Sequence, residues 1–224
     1  MEEYFSILSA TPLFRGISRE ELGAMLGCLD ARQVYVKKGA PVFLEGDRAG
    51  FVGVVLEGSI QIVLDDYYGN RSVLAHGETG DIFAEAFSCA GVDVMPISGY
   101  ALQNSRVLLL DCRKMLTVCS NACRFHSQLV KNLLQVVAEK NLLLSRKIQF
   151  MSRKTTREKL LAYLLDRAKQ AGSPEFTIPF DRQALADYLG VERSAMSAEL
   201  GKLRRDGVLE STGSKFRLLE KPEV

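Results

Sequence analysis

The sequence predicts an α+β fold in three parts: an N-terminal antiparallel β-roll, one long helix, and a C-terminal winged helix-turn-helix. Three observations predict it. Between about residues 33 and 111, short β-rich runs alternate with glycine-bearing turns. From 119 to 151 there is neither proline nor glycine, and apolar residues recur at helical spacing. From 181 to 219 two short helical patterns meet at a glycine and are followed by a hairpin pattern.

The bulk numbers agree with such an assembly. A chain of 224 residues, 47% hydrophobic and 25% charged, can bury a core in each of two small domains. A net charge of +2 gives no global basic field, and the basic excess falls after Ser152. No apolar run is long enough to span a membrane. The opening Met1-Glu2-Glu3-Tyr4 is acidic, unlike a signal peptide. The expected location is therefore the cytoplasm, where the five cysteines (Cys28, Cys89, Cys112, Cys119, Cys123) are reduced thiols.

The first thirty residues read as short helices broken at Thr11-Pro12 and Gly16, with Leu13, Phe14 and Ile17 as an apolar patch. Ser18-Arg19-Glu20-Glu21 has the pattern of a helix start. The β-rich runs are 34–36, 42–44, 51–56, 60–63, 73–74 and 107–110. Turn signals separate them: Lys38-Gly39, Glu45-Gly46-Asp47, Glu57-Gly58, Tyr68-Gly69-Asn70, and Gly77-Glu78-Thr79-Gly80-Asp81. Many short strands with regular glycines indicate an antiparallel roll.

In the long helix one apolar stripe runs Val130, Leu134, Val137, Asn141, Leu144, Ile148 and Met151, with steps alternating between four and three. That spacing is a coiled-coil seam, in which a helix pairs with its own copy and one Asn sets the register. A second stripe, Leu129, Leu133, Val136 and Leu143, is expected to pack on the β domain. Arg153-Lys154-Thr155-Thr156-Arg157 then reads as a hinge, followed by a helix through Ala168 and a short strand at 176–179. The domain division expected is 1–115 for sensing, 116–151 for dimerisation and 152–224 for nucleic-acid binding.

The most informative stretch is 181–207. Asp181 is a good N-cap for a helix carrying Leu185, Ala186 and Leu189 on one face. Ala186 leaves room for a second helix, and Gly190 suits the tight turn between crossed helices. That second helix is expected from about Arg193 to Arg205, stopped at Asp206-Gly207, with a hairpin wing beyond it. In this motif the N-terminal side chains of the second helix lie on base edges in the major groove. The outward positions are Arg193, Ser194, Ser197 and Ala198, and Arg193 can pair bidentately with guanine. Lys202, Arg204, Arg205 and Lys215 are expected mainly at the phosphate backbone, and Arg182 on the first helix is a further DNA-binding candidate. Glu192 is a weaker N-cap than Ser or Asp, and Glu199 stands where an apolar residue is usual.

Pro12-Leu13-Phe14, the glycine-punctuated strands, Gly80-Asp81-Ile82-Phe83-Ala84-Glu85, and the segment from Asp181 to Gly190 follow one another in an order that resembles the Crp/Fnr family of bacterial transcription regulators. The resemblance covers nearly the whole chain. It implies a cyclic-nucleotide-binding-like jelly roll, homodimers on palindromic double-stranded DNA, contact with RNA polymerase, and an effector that acts through the roll.

Cyclic-nucleotide-binding members carry Gly-Glu and, about ten residues later, Arg-Ser. Here Glu85 matches the acid, Ala84 replaces the glycine and Met95-Pro96 stands in place of Arg-Ser. A phosphate without its arginine loses a charge-assisted pair, which argues against cyclic AMP. The candidate effector segment is Phe83, Ala84, Glu85, Met95, Pro96 and Ser98. The cysteine arrangement of iron–sulfur members and the histidine of haem members do not transfer. Cys119, Cys123 and His126 do fall at i, i+4 and i+7, a spacing that suits a metal or haem, and equally suits thiols packed as small apolar groups.

No phosphate loop, nucleophile motif or paired carboxylates indicate an enzyme. The competing binding-module reading is a ligand-controlled domain that acts on a protein partner without DNA.

Overall fold

In the computed structural model, which describes residues 2–68, 71–117 and 124–219, the glycine-punctuated region folds into two four-stranded antiparallel sheets. The strands are β1 (Arg32–Val36), β2 (Pro41–Phe43), β3 (Phe51–Glu57), β4 (Ser59–Asp65), β5 (Arg71–Glu78), β6 (Ile82–Phe83), β7 (Ser98–Ala101) and β8 (Ser105–Asp111). One sheet has the order β1-β8-β3-β6 and the other β2-β7-β4-β5.

β3 is buried on both faces, which explains its unbroken apolar run. Val55 faces the interior of the roll with Val107, while Val52, Val54 and Leu56 pack outward with Leu108 and Leu110 against helices. Those helices include α1 (Phe5–Ala10) and α2 (Arg19–Cys28). Ser18 starts α2 with a full capping box: its Oγ accepts the Glu21 amide at 3.2 Å, and its own amide donates to Glu21 Oε2 at 2.9 Å.

Two strands escaped the sequence patterns. β6 has only two residues, and the central β7 is Ser-Gly-Tyr-Ala, poor in β-formers. β7 is held by packing instead. A Cβ on Gly99 would lie 2.5 Å from the Phe43 ring, and one on Gly53 would lie 2.1 Å from the Phe83 ring. The two glycines thus let the aromatic rings fill the space between the sheets.

Two short helices were also missed, α3 (Glu85–Cys89) and α4 (Cys112–Leu116), each too short to carry a periodic signal. The long helix α5 spans Arg124–Met151. Leu129, Leu133 and Val136 are buried in the core of the first unit. Beside them Asn132 is buried and donates to the carbonyls of Leu13 and Arg15 at 2.9 and 2.8 Å. Leu143, expected on the same stripe, is instead 60% exposed. The physical reason is the division of the chain into two compact units, 1–139 and 140–224, so that the helix has left the first unit's core before residue 143.

The second unit continues with α6 (Thr156–Ala171), β9 (Glu175–Thr177), α7 (Arg182–Leu189), α8 (Arg193–Arg205), β10 (Leu209–Thr212) and β11 (Lys215–Leu218). Thr155 caps α6 by accepting the Glu158 amide at 3.1 Å, and left-handed Gly172 ends it, so the helix outlasts the expected stop at Ala168. Leu160, Leu164, Leu185, Ala186, Leu189, Met196, Leu200, Leu203 and Phe216 form the core of this unit. The three small strands pair in the order β10-β11-β9. Among the described residues no helix is long and apolar enough to cross a membrane.

Candidate nucleic-acid interface

The helical pair is set by its caps and by one turn. Asp181 Oδ1 accepts the Ala184 amide at 2.8 Å and starts α7. Gly190 ends it at φ 60°, ψ 50°, with its amide and that of Val191 closing onto the carbonyls of Asp187 and Ala186. Only a residue free of Cβ strain adopts that conformation cheaply. The turn is supported from two sides: Lys159 Nζ donates to the Gly190 carbonyl at 3.4 Å, and a Cβ on Gly190 would meet Met151 Cε at 3.0 Å.

Glu192 proves to be a working N-cap for α8. Its Oε2 accepts the Ala195 amide at 2.8 Å and also the Ser194 hydroxyl. These hydrogen bonds, that of Ser194 foremost, hold its carboxyl below the usual glutamate range.

α8 buries Met196, Leu200 and Leu203, and turns Arg193, Ser194, Ser197, Ala198, Lys202 and Arg205 to solvent. The first four occupy the N-terminal half, where Ser197 and Ala198 keep the helix surface low. Arg204 is exposed as well, so cations dominate the C-terminal end. Two of the candidate cations are already engaged. Lys202 Nζ lies 2.6 Å from Glu199 Oε1, which gives the unexpected Glu199 a role at the edge of the core. Arg182 is half-buried, its guanidinium 5.0 Å from the centre of the Phe216 ring and its Nη2 3.5 Å from Ser211 Oγ. Burial lowers its pKa, with Arg204 adding to the effect. Arg182 thus ties α7 to the wing. Among the described residues Arg193, Arg205 and Lys215 have no ion pair.

Sequence patterns missed the supports of this surface. Lys159 stands 31 residues from Gly190, and nothing local signals their contact.

The candidate effector residues come together only in part. Phe83, Ala84 and Met95 are buried in one cluster with Phe43, Val55 and Ile60. The Phe43 and Phe83 rings stack with centroids 6.2 Å apart, and Phe51 meets both edge-on. Ala84 sits at a left-handed φ of 63° and starts α3, so Glu85 is buried at its first turn. Ser98 Oγ accepts the Glu45 amide at 3.0 Å, and Pro96 is exposed.

Cys119 and Cys123 lie outside the described residues. His126 is buried, and its Nδ1 has no hydrogen-bond partner among the described residues. No group of three or more potential metal ligands occurs among the described residues.

Comparison with known proteins agrees with both units. Residues 158–223 match the model of the Crp-like helix-turn-helix domain, and residues 33–122 that of the cyclic nucleotide-binding domain. The transcriptional activator protein FnrA of Stutzerimonas stutzeri is 20% identical over 192 residues, covering 83% of this chain and 75% of its own. The nitrogen fixation regulation protein FixK of Bradyrhizobium diazoefficiens is 25% identical over 207 residues, covering 86% of this chain and 80% of its own. The solved structure of the c-di-GMP-responsive global regulator CLP of Xanthomonas campestris shares the fold, with a TM-score of 0.55 at 17% identity, over 88% of this chain and 98% of that one.

Proposed function

This chain belongs to the Crp/Fnr family of DNA-binding transcription regulators, and from that premise we propose that a homodimer places α8 of each protomer in the major groove of one half of a palindromic operator. The observation that carries the proposal is the exposed face of α8: Arg193, Ser194, Ser197 and Ala198 at its N-terminal half, with Arg204, Arg205 and Lys215 beside it. Arg193 reads a base, the serines reach bases or phosphates, and the remaining cations hold the backbone. Lys202 exchanges Glu199 for a phosphate on binding.

The exposed seam of α5 supports the dimer. Leu134, Leu144 and Ile148 are 69%, 61% and 60% exposed in the single chain, a pattern that a second copy of the helix would bury. In this reading residues 1–115 sense, 116–151 dimerise and 152–224 bind DNA, the protein acts in the cytoplasm, and RNA polymerase is its further partner.

The effector acts at or near the segment from Phe83 to Glu85, and it is not cyclic AMP. The Phe43, Phe51 and Phe83 rings occupy the interior of the roll, and exposed Pro96 stands where an arginine would meet the phosphate. The Nδ1 of buried His126, without a hydrogen-bond partner among the described residues, favours the second reading, a metal or haem centre with Cys119 and Cys123. Elemental analysis of anaerobically purified protein decides it: about one metal per chain supports that centre, and metal-free protein removes it.

The DNA reading is tested by titrating the wild type, Arg193→Ala and Lys215→Ala against operator and random duplexes at several salt concentrations. Arg193→Ala should lose about 1–3 kcal/mol of specific binding and leave non-specific binding intact. Lys215→Ala should weaken both and lower the salt slope by about 1. Unchanged binding in both variants overturns the assignment.

A further inference from the structure

Cys89 and Cys112 stand 23 residues apart in the chain, yet the fold brings their sulfurs to 3.9 Å. Cys89 is the last residue of α3 and Cys112 the first of α4. Both helix ends hang from neighbouring carbonyls at the start of β3. The Ser88 hydroxyl donates to the Phe51 carbonyl at 2.6 Å, and the Cys112 amide donates to the Gly50 carbonyl at 2.9 Å. The juxtaposition is therefore built into the backbone. A disulfide needs about 2.05 Å between sulfurs, so the pair has about 1.9 Å left to close, a distance that side-chain rotation with a small shift of a helix end covers.

Access and chemistry differ between the two thiols. Cys112 is buried and Cys89 half-buried, and both border a cavity of about 220 Å³ whose wall also includes Arg48, Ser88 and Arg113. The hydrogen bond between the sulfurs holds the Cys89 thiol below its usual range, against burial and the Glu85 charge. The same contact, with burial, pushes Cys112 up. Cys89 is thus the more acidic thiol of the pair and the one that more readily supplies a thiolate.

We propose that Cys89 and Cys112 form a peroxide-reactive pair that closes reversibly to a disulfide. The Cys89 thiolate attacks one oxygen of hydrogen peroxide. The S–O bond forms, the O–O bond breaks, and the departing hydroxide takes a proton to leave as water. Cys112 then attacks Cys89 Sγ and releases its own proton. The S–S bond forms, the S–O bond breaks, and a second water departs. Two thiols give two electrons to one peroxide, and an external dithiol restores them. A transient bridge of this kind fits a compartment that keeps thiols reduced at rest. It would staple α3, which begins at the candidate effector segment, to α4.

The test uses the full chain. Reduced protein is exposed to a small excess of hydrogen peroxide, blocked with a maleimide in denaturant, and digested with trypsin without reductant. The expected product joins peptide 72–106 to peptide 107–113, lighter than their sum by two hydrogens, and dithiothreitol abolishes it. It should appear before exposed Cys28 is oxidised. In Cys112→Ala the Cys89 sulfenic acid should persist and react with dimedone. The wild-type digest stands without any variant, so a misfolded variant does not spare the proposal. Recovery of Cys89 and Cys112 as maleimide adducts after Cys28 has been oxidised, or bridges confined to other cysteines, overturns it.

Discussion

Replacing Gly190 with alanine perturbs the turn on which the orientation of α8 depends. At φ 60° and ψ 50° an alanine pays about 1–2 kcal/mol for its Cβ in the left-handed region. Stiffening of the unfolded chain returns about 0.4–1 kcal/mol. The added Cβ meets Met151 Cε at 3.0 Å, the flexible end of a side chain that can turn aside. The net loss is about 1 kcal/mol, which for a unit of this size lowers the melting temperature by about 4–8 °C. Amide hydrogen exchange in α7 and α8 resolves the loss within its own unit, alongside a thermal scan. Gly190→Asn should lose less, since asparagine tolerates this conformation. Adding Met151→Ala to Gly190→Ala should not restore stability. Wild-type protection in Gly190→Ala, or full rescue by Met151→Ala, would refute the placement of the strain in the backbone.

Further expectations concern the long helix and the core of the second unit. Leu144→Asp removes an exposed seam residue and should convert dimers to monomers in sedimentation while leaving each unit folded, since about 1.5–3 kcal/mol is lost per unburied leucine. Leu129→Ala, at a fully buried site on the opposite stripe, should instead destabilise the first unit by about 2–5 kcal/mol, read by urea unfolding. Tyr163 is buried with its hydroxyl unpartnered among the described residues, and burial pushes its pKa up to about 12. The neutral phenol is thus favoured over the ionised form in the folded state; its titration leaves stability unchanged below the ordinary tyrosine value near 10 and lowers it as pH rises from about 10 through 12. Tyr163→Phe should flatten the stability profile in that window and raise stability at neutral pH by about 1 kcal/mol, checked by thermal scans across pH. A smaller alkaline loss should remain, because Tyr188 is raised by burial as well.

Where local chemistry decided an element, the sequence displayed it. Ser18, Asp181 and Gly190 announced helix ends that the structure closes with the hydrogen bonds expected of them. The outward positions expected on α8, Arg193, Ser194, Ser197 and Ala198, are exposed in the structure, with Met196, Leu200 and Leu203 buried behind them. Elements held by tertiary packing stayed hidden. β7 has weak intrinsic preference and exists because Gly99 lies under Phe43. Glu192 looked like a poor cap because residue type alone does not show that Ser194 and Ala195 satisfy its carboxylate. Leu143 carried the right period but lies past the point where the helix leaves its core, a limit that no periodicity marks. The candidate effector segment stood out in the sequence as a departure from a pattern, whereas the aromatic filling beside it required Phe43 and Phe83, 40 residues apart, to meet.

The most direct test is selection of bound sequences from a random duplex pool by the full chain. The account predicts a palindrome whose half-sites are centred about 10–10.5 base pairs apart, lost in Arg193→Ala. Recovery of no enriched sequence, or of a single half-site without symmetry, would contradict it.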